Sequence, residues 1–332
     1  MANTAQCDGK YRDEWTGSGQ YFEYSKAANP IGSGLIPEVP LADFPARLHE
    51  EGPTQVIPFD LSEKLRCHGP ATSPALLSNF IHIRAGERIA TDPNATSELY
   101  YVIRGRGQTT FGDRKLAWCE GDIFTLSCCG EAVHHADEDA AFYWVHDEPL
   151  LRYLGARAET PRFQPTLYPR ARAVEELEKV AQDPQASSRN RVSVLMANSE
   201  LPQTRTITHV LWAMFGVLPQ GKVQPPHHHE SVALDLIIDC EPGCYSLIGT
   251  EIDRYGNIKD PRRADWKPGS AFVTPPGLWH SHHNESKADA HLLPIQDAGL
   301  HTYLRTLDIH FYHSEKKDEA YVSLKGASSR RG

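Results

Sequence analysis

No apolar run in the 332 residues approaches the roughly 20 that a membrane-spanning helix needs, so the sequence argues for a soluble protein with no membrane partner. Cationic residues are in deficit, 34 Lys and Arg against 43 Asp and Glu, for a net charge of −9. Without a basic surplus there is nothing to displace the counterions of a nucleic-acid backbone, and nucleic acid drops out as a partner. Also missing is any Cys-x-x-Cys pair, which a sulfur-rich zinc knuckle would need. The seven cysteines (Cys7, Cys67, Cys119, Cys128, Cys129, Cys240, Cys244) are odd in number and include an adjacent pair. That is a poor disulfide framework and suits a reducing compartment. The opening MANTAQCDGKYRDEW has no basic stretch leading into an apolar one, so no secretory signal is visible and a cytoplasmic location is expected. Histidine, by contrast, is plentiful: 17 in all, eleven of them beyond residue 200.

The length is about twice that of a usual domain. Residues 1–55 are turn-rich and read as an N-terminal arm. From 56 to 155 the chain becomes short runs rich in β-branched and aromatic residues, such as SNFIHIRAG, ELYYVIRGRG and AFYWVHDE, separated by turn residues. Their spacing argues for an antiparallel sandwich or barrel. Residues 156–190 form a linker in which Val174, Leu177, Val180 and Ala181 recur at helical spacing, predicting a helix over 171–183. The β pattern resumes over 191–313, so the second half repeats the first, and 314–332 is a polar tail expected to be partly disordered.

In the second half, Gly221 is followed after five residues by His227-His228-His229. Further on, Gly269-SAFVT-Pro275-Pro276-Gly277-Leu278-Trp279-His280-Ser281-His282-His283-Asn284 fits the pattern G(x5)PxG(x2)H(x3)N. Residues i and i+2 of a strand face one side. His227 and His229 can therefore present two imidazoles into one barrel mouth, and the PPG turn can deliver His280 beside them. Three histidines on one face leave open coordination positions, as metal catalysis requires. Parity turns His228 the other way. His282 shares parity with His280 and is a candidate acid or base. The positions four and five after His229 are Ala233 and Leu234, so no glutamate joins the set, and Asp235 lies one step further on.

The first half keeps the frame and loses the ligands. Gly86-ERIAT-Asp92-Pro93-Asn94-ATS-Glu98-LYYVIR-Gly105 fits G(x5)HxH(x3)E(x6)G with Asp92 and Asn94 in the histidine positions. The companion stretch Gly121-DIFTL-Ser127 lacks its proline and runs two residues long before His134. The first barrel is read as structural, its metal site degenerate.

These strings resemble the cupin superfamily in its two-barrel form. The fold expected is all-β, with two cupin barrels (double-stranded β-helix, jelly-roll) in tandem and a few short helices. Within that group, PPHHHESVALDLII, PGSAFVTPPGLWHSHHNES and LPIQDAGL are similar to the gentisate 1,2-dioxygenase family, while the first half matches only in architecture. The resemblance implies His227, His229 and His280 as ligands of Fe(II), with Mn, Ni or Zn as alternative metals, and Trp279, His282, Asn284 and Glu285 as the rest of the motif. It implies a ring-cleaving dioxygenase that takes O2 and a small anionic, hydroxylated aromatic acid, and that works as a homo-oligomer, dimer or tetramer. The site expected is then His282 and Asp297 in catalysis, with Trp279, Gln296, His301 and Arg305 binding substrate. Two other readings stay open: another metallo-cupin chemistry (isomerase, lyase or thiol oxidation), or a non-catalytic binding or storage bicupin.

Overall fold

A computed structural model describes residues 15–128, 130–185, 190–312 and the backbone of 321–323. Cys7, Cys129 and most of the tail lie outside the described residues. The chain divides into Met1–Glu38 and Val39–Gly332. The smaller unit carries a short helix, Tyr24–Ala27, whose first N–H groups are capped by the Glu23 carboxylate. Trp15, Tyr21, Phe22 and Tyr24 in that unit are exposed.

The larger unit is built from antiparallel strands. In chain order they are β1 (Ala42–Phe44), β2 (Gln55–Pro58), β3 (Leu77–Ile83), β4 (Arg88–Thr91), β5 (Ser97–Arg104), β6 (Arg106–Phe111), β7 (Arg114–Cys119), β8 (Ile123–Ser127), β9 (Ala132–Ala136), β10 (Ala140–His146) and β11 (Thr166–Tyr168). The second half adds β12 (Val192–Leu195), β13 (Trp212–Leu218), β14 (Val223–His228), β15 (Ala233–Asp239), β16 (Cys244–Gly249), β17 (Arg262–Asp265), β18 (Ala271–Thr274), β19 (Trp279–Asn284), β20 (Ala290–Gln296), β21 (His310–Tyr312) and β22 (Tyr321–Ser323). The first barrel pairs a sheet in the order β11-β8-β5-β10-β3-β2 with one in the order β4-β9-β6-β7. The second pairs β1-β18-β15-β20-β13-β12 with β17-β16-β19-β14-β21-β22.

Two expectations meet a different arrangement here. Part of the stretch read as an arm is built into the barrels: β1 zips onto β18 of the second barrel, and β2 onto β3 of the first. Alternation in Leu41-Ala-Asp-Phe44 suits an edge strand, because Leu41 and Phe44 reach different cores. In the tail, Tyr321–Ser323 pairs with β21. The linker helix runs Arg170–Ala181 and drops Leu177 into the core.

Three apolar cores follow from strand parity. On β10, Phe142 and Trp144 point into the first barrel beside Tyr100, Phe124 and Trp118. Tyr143 and Val145 point the opposite way, into a core shared with Val232, Leu234, Leu236, Leu293 and Ile295 of the second barrel. One sheet of each barrel, that of β5 and β10 in the first and that of β15 and β20 in the second, is thus covered on both faces. This explains why AFYWVH is buried throughout rather than alternating in and out. The second barrel's own interior is smaller and holds Leu218, Ile237, Ile248, Trp266, Phe272 and Leu292. Helices Glu148–Leu154 and Ala298–Leu304 follow β10 and β20 in turn, so the repeat extends past the strands.

Two measurements check this packing. Phe80 is fully buried between the rings of Phe59 and Tyr143. Phe80→Ala should cost about 3–5 kcal/mol in urea unfolding. Acid should also loosen the first barrel, because burial pushes His134 and His146 down to about 3. Between the ordinary value of 6.5 and about 3 the unfolded chain takes up a proton that the folded one refuses. Stability is therefore full above about pH 6.5 and falls by about 1.4 kcal/mol per pH unit per histidine below it. His146→Asn should flatten the drop in urea midpoint between neutral pH and about pH 5.

Candidate metal centre

Strand β14 carries Pro225 and Pro226, which interrupt its pairing with β19 and leave a register shift between Gln224 and His227. Beyond the shift, His227 sits opposite His280. The turn before β19 is set by Gly277, at φ +74°, a conformation glycine adopts without strain. Its N–H donates to the carbonyl of His229 at 2.8 Å. The backbone carrying one candidate ligand is thereby tied to the backbone carrying another.

His227, His229 and His280 are all buried, and one nitrogen from each lies within 4.8 Å of the other two. Among the described residues no other group of His, Cys, Asp and Glu meets this geometry. Each Nδ1 donates to a main-chain carbonyl: His227 to Pro225 (3.1 Å), His229 to Ser231 (2.9 Å) and His280 to Leu278 (2.9 Å). A carbonyl only accepts, so the ring proton belongs on Nδ1 and the Nε2 lone pair faces the centre, where the Gln224 amide lies 3.4 Å from His227 Nε2. Burial, and then repulsion from the neighbouring rings and Arg191, holds His227 and His280 well below the ordinary imidazole range. Burial likewise lowers His229 to about 4. Three neutral imidazoles with one fixed tautomer fit a divalent transition metal and leave the rest of its coordination sphere open.

Around the triad stand side chains of different function. Gln296 is buried, accepts from Ser231 Oγ at 3.0 Å and turns its amide toward His229 Nε2 at 3.5 Å. His282 lies with its ring 5.8 Å from that of His227 and 5.7 Å from that of His280. Its Nδ1 meets Ser246 Oγ at 2.7 Å, and Trp266 Nε1 donates to the same hydroxyl at 2.9 Å. Arg191 reaches His282 Nε2 at 3.4 Å and donates to Gln224 Oε1 at 3.1 Å. A guanidinium only donates, so His282 keeps an unprotonated Nε2 toward Arg191. Beside this pair opens a cavity of about 320 Å³, lined by Arg191, Gln224, Trp266 and His282 and walled by Val217 and Leu292.

Other residues named from the sequence sit elsewhere. Trp279 is one position out of phase with His280 and packs edge-on against His228, whose ring stacks on His310 4.5 Å away. Arg305 is exposed at the end of helix Ala298–Leu304 and folds back onto the carbonyl and ring of Tyr303. His301, on the same helix, bonds Thr306 Oγ1 at 3.0 Å. Asp297 is buried and accepts from Val232 N at 2.9 Å, joining the start of that helix to the strand after the histidines, and burial pushes it up to about 7. Asn284 holds the carbonyls of Leu218 and Ala288, and Glu285 accepts from Tyr245 OH at 2.6 Å on the surface. Asp235 faces the barrel interior, held by Thr274 at 2.7 Å and raised by burial to about 6.

No protein-family model matches the chain. Over 101 residues it is 29% identical to gentisate 1,2 dioxygenase 1 of Aquipseudomonas alcaligenes, a match covering 30% of this chain and 26% of that protein. Over 92 residues it is 32% identical to a 5-aminosalicylate 1,2-dioxygenase of a Comamonas species, covering 27% of this chain and 24% of the relative. Among solved structures, salicylate 1,2-dioxygenase from Pseudoaminobacter salicylatoxidans, as an adduct with gentisate, superposes with a TM-score of 0.67 at 11% identity, over 94% of this chain and 97% of that one. Another structure of that enzyme gives 0.67 at 13% identity, over 92% and 98%. The structural likeness is one of fold, two cupin barrels in tandem, and the sequence likeness spans about a quarter of the length of the curated relatives it matches.

In this bicupin, Arg191, Gln224, Ser246 and Trp266 went unnoticed in the sequence. A signal for two of them was present in the repeat. Trp118 Nε1 donates to Thr109 Oγ1 at 3.0 Å and Thr109 Oγ1 meets His134 Nδ1 at 2.8 Å, as Trp266, Ser246 and His282 do in the second barrel. His134 therefore corresponds to His282 rather than to His280, which accounts for the two surplus residues before it. If the triad binds metal, His229→Ala should abolish stoichiometric metal after anaerobic loading, read by elemental analysis, while His228→Ala keeps it; retention by the first variant would refute the assignment.

Proposed function

We propose that this bicupin is a non-haem Fe(II) dioxygenase that cleaves the ring of a hydroxylated aromatic carboxylic acid. The observation that carries the reading is the convergence of three neutral, tautomer-locked imidazoles next to the Arg191–His282 pair. Bound Fe(II) would supply the one-electron chemistry that O2 needs to react with a closed-shell ring. Three uncharged ligands leave its positive charge uncancelled for an anionic substrate.

The chain's own residues do the rest. Arg191, partly buried at the wall of the cavity, is the cation for the substrate carboxylate, a charge-assisted pair strengthened by the low dielectric. His282 Nε2, kept unprotonated, takes the proton of the substrate hydroxyl, with Ser246 and Trp266 fixing its ring. Val217, Leu292 and Trp266 give an aromatic ring apolar walls and exclude water. Gln296 and Ser231 orient His229. Asp297 acts as a positioning residue through the Val232 N–H.

An oxygen electrode with iron-loaded protein and gentisate or salicylate tests this directly: one O2 should be consumed per ring opened, followed by ultraviolet absorbance. Arg191→Leu should lower kcat/KM by about 10²-fold, close to 2.7 kcal/mol, mainly through KM and with iron content unchanged. Iron-loaded protein that consumes no O2 with either acid would reject the proposal.

A further inference from the structure

The first barrel has a mouth of its own. Pairing of Ile89 with His134 repeats that of Gln224 with His282, but without the register shift of the second barrel, so buried Thr91 stands opposite Ala132 where His227 stands opposite His280, and Asp92 and Asn94 follow at the rim. There lies a cavity of about 370 Å³ lined by Asp92, Asn94, Glu98, Cys128 and Arg157. It holds no histidine, and among the described residues no three donors there come within metal-ligand reach of one another. Asn94 has been turned to another use. Its amide donates to Ala156 O at 2.9 Å and accepts from Ala158 N at 2.9 Å, which pins exposed Arg157 at the rim.

Glu98 lines this cavity, yet the residue is only 3% exposed. Its hydrogen bonds have a direction that can be followed from the far side of the barrel. Trp118 Nε1 donates to Thr109, Thr109 to His134 Nδ1, His134 Nε2 to Thr91, Thr91 to Tyr100, and Tyr100 to Glu98 Oε2 at 2.6 Å. Trp144 Nε1 donates to the same Oε2 at 3.1 Å. Oε2 is thus saturated as an acceptor, and Oε1 has no partner among the described residues. Oε1 is not among the sealed, unpartnered polar atoms of the barrel, so it opens onto the cavity and is within reach of a ligand there.

We propose that this cavity is a second binding site, for a small organic carboxylate that also carries a hydroxyl or amino donor. The ligand carboxylate pairs with Arg157 and accepts a proton-bearing hydrogen bond from Glu98 Oε1; the donor reaches Asp92. Burial pushes Glu98 up to about 8, and nearby Asp92 and Asp147 act in the same direction against the donors Tyr100 and Trp144. The other ionisable groups that face it are Cys128, whose thiol burial raises, and His146, which burial keeps neutral. The proton is therefore present at neutral pH and lost as the pH passes about 8, taking the hydrogen bond with it.

Calorimetric titration of the full chain with lactate and glycine, and with acetate as the probe lacking a donor, tests the proposal. Lactate or glycine should bind saturably at neutral pH and more tightly than acetate, and Arg157→Leu should weaken that binding by at least about tenfold. Wild-type affinity should fall by up to about tenfold per pH unit above 8. Glu98→Gln can accept from Tyr100 and Trp144 through its oxygen and offer its NH2 to the cavity, so it should hold its affinity to about pH 9.5. Three results would overturn the site: no saturable binding of any probe up to about 20 mM, binding that Arg157→Leu leaves intact and that therefore belongs to the second barrel, or identical pH profiles for wild type and Glu98→Gln.

Discussion

The burial of one sheet face of each barrel against the other governs most of what is seen here. Tyr101 and Tyr143 from the first barrel and Leu234, Leu236 and Leu293 from the second share one core. A jelly-roll alone needs one apolar face per sheet; the two sheets that meet here need two. The second barrel can therefore keep a modest interior of its own and still remain rigid, because β15 and β20 are clamped from outside. That leaves room inside for polar side chains, and the imidazoles, Gln296 and Asp235 use it.

Repetition makes the chemistry easier to separate from the scaffold. Asp147 and Asp297 each accept from main-chain N–H groups at the start of a neighbouring strand, Thr96 and Ser97 in one barrel and Val232 in the other. The same carboxylate performs this task in a barrel with no histidine triad, so Asp297 is accounted for by the scaffold. The Trp–hydroxyl–His unit is also common to both barrels, but its ring proton differs. Thr91 receives it from His134 Nε2, whereas Arg191 requires a lone pair at His282 Nε2. A change of one neighbour thus moves the ring proton from Nε2 to Nδ1.

Much of this was legible in the sequence. The three histidines and the inverted parity of His228 follow from a period of two, and the glycine frame follows from turns that need positive φ, such as Gly86 and Gly221. What could not be read is whatever depends on strands distant in sequence. Arg191 opens β12 and reaches the site only because β12 is the edge neighbour of β13. Trp279 looked like a pocket residue because it adjoins His280, yet adjacency along a strand means opposite faces. Arg305 carries the right charge, but its helix ends in a left-handed residue that turns it to solvent.

One strand ties the two halves together in time as well as in space. Residues 42–44 leave the ribosome before any of the first barrel, yet their partners on β18 are residues 271–273. One sheet of the second barrel thus takes its edge strand from a segment synthesised before either barrel, and that edge stays open until the two meet. Such a long-range closure is slow to form. It also makes the half that carries the histidine triad depend, for an edge strand, on a segment that lies on the far side of the first barrel in sequence.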